Sequence, residues 1–177
     1  MRLPPVFALP DGAQMRPVKR ADAAPLAAAI AANLEHLQPW MPWSHGYDPV
    51  STEVYIAAAE RQVEDKQGAQ FIVSREGRAA GTIGFHAINW ANRSTSIGYW
   101  LSTETQGRGI ASAAVRGLTA HAFREWGLHR IELRAAPDNV RSRAVAERCG
   151  FREEGVAREA ELIGGRFRDL VVYSLLA

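Results

Sequence analysis

The chain has 177 residues, 47% hydrophobic and 23% charged, with a net charge of +2 at neutral pH; this composition fits one soluble domain, residues 1–177, able to bury a sizeable core. No membrane span, signal peptide or disulfide framework is expected: the apolar stretch Ala23 to Leu34 is short and carries Pro25 and Asn33, Pro4, Pro5 and Pro10 interrupt the N-terminus after Arg2, and the single cysteine, Cys149, fits a reducing cytoplasm. Residues 1–70 balance to −2 and residues 71–177 to +4, yet no dense basic run interleaved with aromatics points to nucleic acid, so a solvated arginine-rich surface plus one anionic ligand is the expectation.

Arg16 to Arg20 reads as a first short strand. Asp22 caps a helix that carries Leu26, Ile30, Leu34 and Leu37 on one face. The helix cannot continue through Gln38-Pro39-Trp40-Met41-Pro42-Trp43, because each proline removes a donor and restricts its predecessor. A second helix is predicted over Thr52 to Lys66, capped by Ser51. Phe71 to Ser74 and Ala79 to Ile88 read as strands joined by a turn at Glu76-Gly77, and Thr95 to Leu101 follows a turn at Asn92-Arg93, which makes an antiparallel meander. A helix with Ala111, Ala114, Val115, Leu118, Ala122 and Trp126 on one stripe ends at Gly127. Arg130 to Ala135 is the next strand, and the strand–helix–strand crossover predicts parallel pairing with its predecessor. Pro137-Asp138-Asn139 opens a short helix ending at Cys149-Gly150, and Val156 to Leu162 with Arg168 to Leu175 forms a closing hairpin around Gly164-Gly165. The class is α/β with a mixed sheet.

Between the meander and the long helix stands Gln106-Gly107-Arg108-Gly109-Ile110-Ala111. A strand, a glycine turn and a helix N-terminus together offer backbone N–H groups and partial positive charge to a phosphate, and Arg108 adds a full charge. Three phosphate motifs compete. The Walker type needs Lys and then Ser or Thr after its last glycine, where Ile110 and Ala111 stand. The dinucleotide type needs a third glycine, where Ser112 stands, and a first βα turn rather than a meander. The pattern Q/R-x-x-G-x-G/A is met by Gln106, Gly109 and Ala111.

That last pattern resembles motif A of the GNAT acetyltransferases, which hold the pyrophosphate of acetyl-CoA. Gly98-Tyr99-Trp100-Leu101, Asn139-Val140-Arg141-Ser142-Arg143-Ala144, Glu147-Arg148-Cys149-Gly150-Phe151, Glu35 to Trp43 and Arg158-Glu159-Ala160-Glu161 are similar to the RimJ/RimL-type branch, in the same order along nearly the whole chain. The resemblance implies a largely antiparallel twisted sheet of about seven strands flanked by about four helices. It also implies a splay between two parallel strands that admits the pantetheine arm of acetyl-CoA, and no metal.

The implied activity is direct attack of a primary amine on the thioester, the amine belonging to a protein N-terminus, such as that of a ribosomal protein, or to a small molecule. A non-catalytic acyl-CoA sensor and, more distantly, a nicotinamide dehydrogenase are the other classes considered. Implied donor-binding groups are the backbone at Trp100 and Leu101, the turn Gln106, Gly107, Arg108, Gly109, Ile110 and Ala111, then Asn139 and Arg143. Glu161 is the implied general base, with Glu104 as rival, and Ser142 the implied acid at the CoA sulfur. Trp40, Trp43 and His86 are candidates for the acceptor site, with Trp90 as a further wall of its groove and His36 nearby. Cys149 is expected to be a buried thiol. Relatives of this branch suggest a homodimer.

Overall fold

A computed structural model describes residues 1–4 and 6–177; Pro5, expected to help interrupt the N-terminal apolar run, lies outside the described residues. Its strands are β1 (Phe7–Ala8), β2 (Ala13–Pro17), β3 (Ala69–Arg75), β4 (Arg78–Asn89), β5 (Ser94–Leu101), β6 (Arg130–Ala135), β7 (Arg152–Ile163) and β8 (Arg166–Leu176). The helices are α1 (Ala23–Ala31), the single turn α2 (Leu34–Leu37), α3 (Val50–Glu64), α4 (Ile110–Trp126) and α5 (Val140–Arg148). Among the described residues the strands form one open sheet in the order β1–β2–β3–β4–β5–β6–β8–β7, in which only β5–β6 is parallel. The expected counts of about seven strands and four helices each fall one short, through the two-residue β1 and the one-turn α2.

The apolar alternation along the strands separates two faces. Ile97, Leu101, Ile131, Leu133, Val171 and Tyr173 turn toward one layer, where Ile110, Ala114, Val115, Leu118 and Ala122 of α4 and Val145 and Ala146 of α5 complete the larger core. Ile72 and Trp100 turn to the other layer and meet Leu26, Ile30, Leu37 and Ile56 from α1, α2 and α3. Burying a side chain of this size contributes about 1.5–3 kcal/mol.

Several local readings need correction. The strand expected over Arg16–Arg20 is instead β2, Ala13–Pro17, because Asp22 accepts from the Lys19 backbone N–H at 2.8 Å and turns the chain. Asp22 does not cap α1 with its side chain; its carboxylate takes two bonds from Arg16, at 2.7 and 2.6 Å. The expected continuous helix to Leu37 breaks at Asn33, whose amide donates to Ala29 O at 2.9 Å while its Oδ1 accepts from Thr103 N at 3.0 Å. The second helix starts at Val50 with Pro49 at its N-cap, and Ser51 donates to Asp48 O rather than capping.

Candidate active site

Ser102 to Gly109 convert β5 into α4. The Ser102 and Thr105 hydroxyls lie 3.0 Å apart and Thr105 also donates to Ser102 O at 2.9 Å, which closes a one-turn 3-10 helix over Thr103–Thr105. The chain then passes through Gly107 and Gly109 in the left-handed region, at φ 73° and 76°. Gly109 is the N-cap of α4 and no side chain caps that helix end. A Cβ at either glycine would meet no protein atom within 4 Å, so the space in front of the turn is open. Free N–H groups at a helix start, glycine backbone and open space fit a pyrophosphate.

The side chains of the turn are more committed than their sequence suggests. Gln106 donates to His36 Nε2 at 2.5 Å and to Leu101 O at 3.2 Å, and it accepts from Arg141 at 2.5 Å. Burial, then the neighbouring Arg141, hold His36 below the usual histidine range, in keeping with a ring nitrogen that accepts. Arg108 donates to Glu104 O at 3.0 Å and to Asp11 at 2.8 Å, and Asp11 also pairs with Arg75 at 3.0 Å. Ile110 is buried in the core, so only its backbone is available to a ligand.

β5 and β6 keep parallel register only at Ser94↔Arg130, Thr95↔Ile131 and Ser96↔Glu132. Beyond these pairs β5 continues to Leu101 and β6 to Ala135 with no partner in the gap. This splay is a slot in the hydrogen-bond ladder of the sheet. Trp100 and Leu101, candidates for backbone contact, line its β5 edge with both side chains buried. Gly81 makes the close approach of β4 possible there: a Cβ at Gly81 would lie 2.1 Å from Trp100 O.

On the α4–α5 side of the slot, Asn139 caps α5 by accepting from Ser142 N at 3.1 Å. The Ser142 hydroxyl lies 3.1 Å from that of Tyr99 on β5. Arg143 turns elsewhere: it donates to Tyr173 OH at 2.9 Å and to Pro137 O at 3.1 Å, beside Glu153. Arg141, two residues earlier on the helix, is the α5 arginine that faces the glycine turn. Cys149 is buried, donates to Ser112 O at 3.4 Å, and has its thiol pushed up by burial. That is the buried thiol expected from the sequence.

Glu161 lies on the opposite side. It pairs across from Arg168 of β8, and pairing through Ser174↔Glu132 and Ser96↔Glu132 puts it on the same sheet face as Trp100. Desolvation raises its carboxyl above the usual range. Arg168 holds both oxygens of Asp138 at 2.5 and 2.7 Å, reaches Pro39 O at 3.5 Å and stands 5.8 Å over the Trp40 ring. The loop from Pro39 to His45 is therefore tied to the strand pair that carries Glu161. Trp43 extends this wall, 43% exposed, with its ring 6.3 Å from Trp100 and 6.4 Å from Tyr47.

His86 shares that face, its ring over Gly98, and desolvation lowers its pKa although the residue as a whole is exposed. Trp90 does not join this wall. It lies past the far end of β5 and donates to Lys66 O at 2.7 Å. His36 belongs to the glycine turn rather than to the acceptor side. Glu104 stands beside Arg108 at the turn, where its carbonyl fixes that side chain. Tyr99, Asp11, Arg141 and Arg168 are the site residues that the sequence alone does not single out. Among the described residues no group of three or more His, Cys, Asp or Glu is placed to hold a metal ion, and no helix is long and apolar enough to cross a membrane.

A model of the acetyltransferase (GNAT) domain family matches residues 14–152. The chain is 40% identical over 157 residues to "Putative ribosomal N-acetyltransferase YdaF" of Bacillus subtilis (strain 168), covering 88% of this chain and 86% of that one. Two solved structures superpose closely. Mycobacterium smegmatis RimJ in complex with CoA-disulfide matches with a TM-score of 0.89 and 31% identity, over 99% of this chain and 87% of that one. The microcin C7 self-immunity acetyltransferase MccE, in complex with acetyl-CoA and AMP, matches with a TM-score of 0.88 and 27% identity, over 94% and 93%. The chain therefore belongs to the GNAT acetyltransferase family, in its RimJ/RimL-type branch, and is an acetyl-CoA-dependent acetyltransferase.

Proposed function

We propose that this enzyme transfers the acetyl group to a primary amine by direct attack, and that the amine is the N-terminal α-amine of a ribosomal protein. The observation that carries this reading is the two-sided slot. Tyr99, Ser142 and the glycine turn stand on its α4–α5 face, and Trp100 with the Trp43 ring beside it stands on the other, the sheet face that also carries Glu161. The name of the similar putative ribosomal N-acetyltransferase YdaF supports a ribosomal-protein acceptor.

When bound, acetyl-CoA supplies an activated acyl group as a thioester. The backbone N–H groups from Gly107 to Ala111 hold its pyrophosphate, and the unpaired β5 edge takes its pantetheine arm, with Asn139 at the α5 end. A backbone N–H near Trp100 and Leu101 meets the thioester oxygen as it gains negative charge; losing such a donor typically costs about 10²–10³ in rate. The incoming amine is an ammonium at neutral pH and must lose a proton before it attacks. Glu161 takes that proton, and the raised pKa brings it nearer to the pH at which it works. Ser142 serves the departing thiolate. Trp40 and Trp43 wall the approach of the acceptor, with His86 further along the same face.

Thiol release from acetyl-CoA, measured against peptides beginning with Ser, Ala or Met and against a panel of small amines, tests the reading. Turnover on at least one peptide, with retention of the acetyl group at its α-amine by mass spectrometry, is the expected result. Turnover confined to small amines would reject the ribosomal-protein acceptor. Tight acetyl-CoA binding with no turnover on any acceptor would reject catalysis of this kind.

A further inference from the structure

The hydroxyls of Tyr99 and Ser142 lie 3.1 Å apart and bridge the slot, from the unpaired stretch of β5 to the first turn of α5. The Tyr99 ring packs against the larger core, which fixes where its hydroxyl points. Burial is the main reason its phenol is pushed up to about 12, with Cys149 and Arg148 as the other titratable groups that reach it, so it keeps its proton through the working range. Ser142 lies in the first turn of α5, where no preceding helical turn offers its hydroxyl a carbonyl. Here the backbone N–H of Ser142 is taken by Asn139 and the hydroxyl meets Tyr99.

We propose that Tyr99 is a positioning residue for the transfer reaction: its O–H donates to Ser142 Oγ, which leaves the serine's own hydrogen free to point to the departing CoA sulfur. This rests on the reading that Ser142 serves the thiolate. As the carbon–sulfur bond breaks, its electron pair goes to sulfur. The proton that ends there comes from the Ser142 hydroxyl, and the serine regains one from water. Tyr99 keeps its proton throughout and acts by opposing the negative charge that gathers on Oγ.

The test is a double-mutant cycle of Y99F and S142A, read as thiol release with an Ala-initiated peptide, or with water as acceptor where the peptide is not taken. Y99F is expected to lower kcat about tenfold, with the Kd for acetyl-CoA within about twofold, since phenylalanine keeps the packed ring. In the S142A background the same change is expected to cost nothing further, because residues that act as a unit are not additive. An equal loss in both backgrounds, or no loss in either, overturns the proposal. Full turnover by S142A alone overturns the acid reading of Ser142 and the proposal with it, whereas loss in S142A without loss in Y99F overturns the proposal alone. Should Y99F fold poorly, 3-fluorotyrosine at position 99 keeps the hydroxyl and makes it more acidic. As a stronger donor to Ser142 Oγ it should change kcat in the parent background and not in S142A, and an equal change in both, or none in either, overturns the proposal.

Discussion

Glu161 owes its placement to a backbone irregularity. Between the pairs Ala157↔Leu170 and Glu161↔Arg168, residues Arg158, Glu159 and Ala160 face the single residue Asp169. Glu159 takes φ 49° and its N–H is held by Asp169 at 2.8 Å, which stabilises the bulge. Bulges next to functional sites re-aim side chains, and this one delivers Glu161 into a partly dry position. Its raised carboxyl has two consequences of opposite sign. As a base, Glu161 must be ionised, so kcat/KM should rise with pH through a limb above the ordinary carboxylate range. E161Q should erase that limb and lower kcat by about 10²–10⁴. In folding, a raised carboxyl favours the native state below its unfolded pKa, and that contribution is lost as pH rises through the folded pKa. At neutral pH the charge therefore weighs against the fold, and E161Q should melt no lower than the parent in thermal denaturation. A variant that lost activity together with several degrees of Tm would instead mark Glu161 as structural. Asp22 shows the reverse case. Burial would raise its carboxyl, yet the Arg16 pair and the Lys19 N–H outweigh that and hold it below the usual range. Its contribution is present above the unfolded pKa near 4 and fades as pH falls through the folded pKa. D22N should cost about 1–3 kcal/mol in urea denaturation at pH 7 and less at low pH.

The glycine turn is the element on which donor binding depends, and its two glycines answer to different constraints from those in the sheet. Gly109 is left-handed but faces open space. Alanine there should cost about 1–2 kcal/mol of backbone strain, a modest drop in Tm. Its methyl would project toward the open space in front of the turn, so G109A should raise the Kd for acetyl-CoA at least about tenfold in calorimetry. An unchanged Kd would move the pyrophosphate away from this turn. This element was legible in the sequence because everything that makes it is local: the alternation of β5, the glycine spacing, the apolar stripe of α4 and Gly127, left-handed at its end. For the same reason β6 runs over Arg130–Ala135 as predicted. The misreadings are not local. Asn33 breaks the first helix because Thr103, 70 residues later, needs its side chain. Arg143 is the cofactor arginine expected from the sequence, but the docking of α5 turns it to Tyr173 and leaves Arg141 to meet Gln106 of the glycine turn. Arg108 reads as a free cation until the β1–β2 turn brings Asp11, 97 residues away, against it. Trp90 resembles Trp40 and Trp43 in composition alone, and the length of β5 carries it to the other end of the sheet.

At the scale of the whole molecule, the sheet is two half-sheets joined by three pairs at one end of β5 and β6. What holds the halves together is the larger core, which runs from Phe71 and Phe85 through Ile97 and Ile131 to Tyr173 under the long helix α4. Backbone hydrogen bonding gives way to side-chain packing across the slot, so local opening there should be easier than elsewhere. Amides on a segment with few ladder partners exchange by local opening, while those in a fully paired core exchange near the global limit. Hydrogen exchange of the free enzyme should accordingly be faster at some amides in 97–101 and 133–135 than in β3 and β4. Acetyl-CoA at about 100 times its Kd should slow globally exchanging amides by about 2.7 kcal/mol, the mass-action term common to any ligand of the native state. In the slot the slowing has a separate origin, because a pantetheine arm laid along the β5 edge occupies backbone groups that β6 leaves unpaired. Protection of the slot should therefore appear even at exchange times too short for global opening to matter. Free coenzyme A should produce most of it, since it carries the same arm and lacks only the acetyl group. If acetyl-CoA protects β3 and β4 but leaves the slot unchanged, the donor does not lie in the gap, and the two faces of this sheet are not joined by the path that the splay provides.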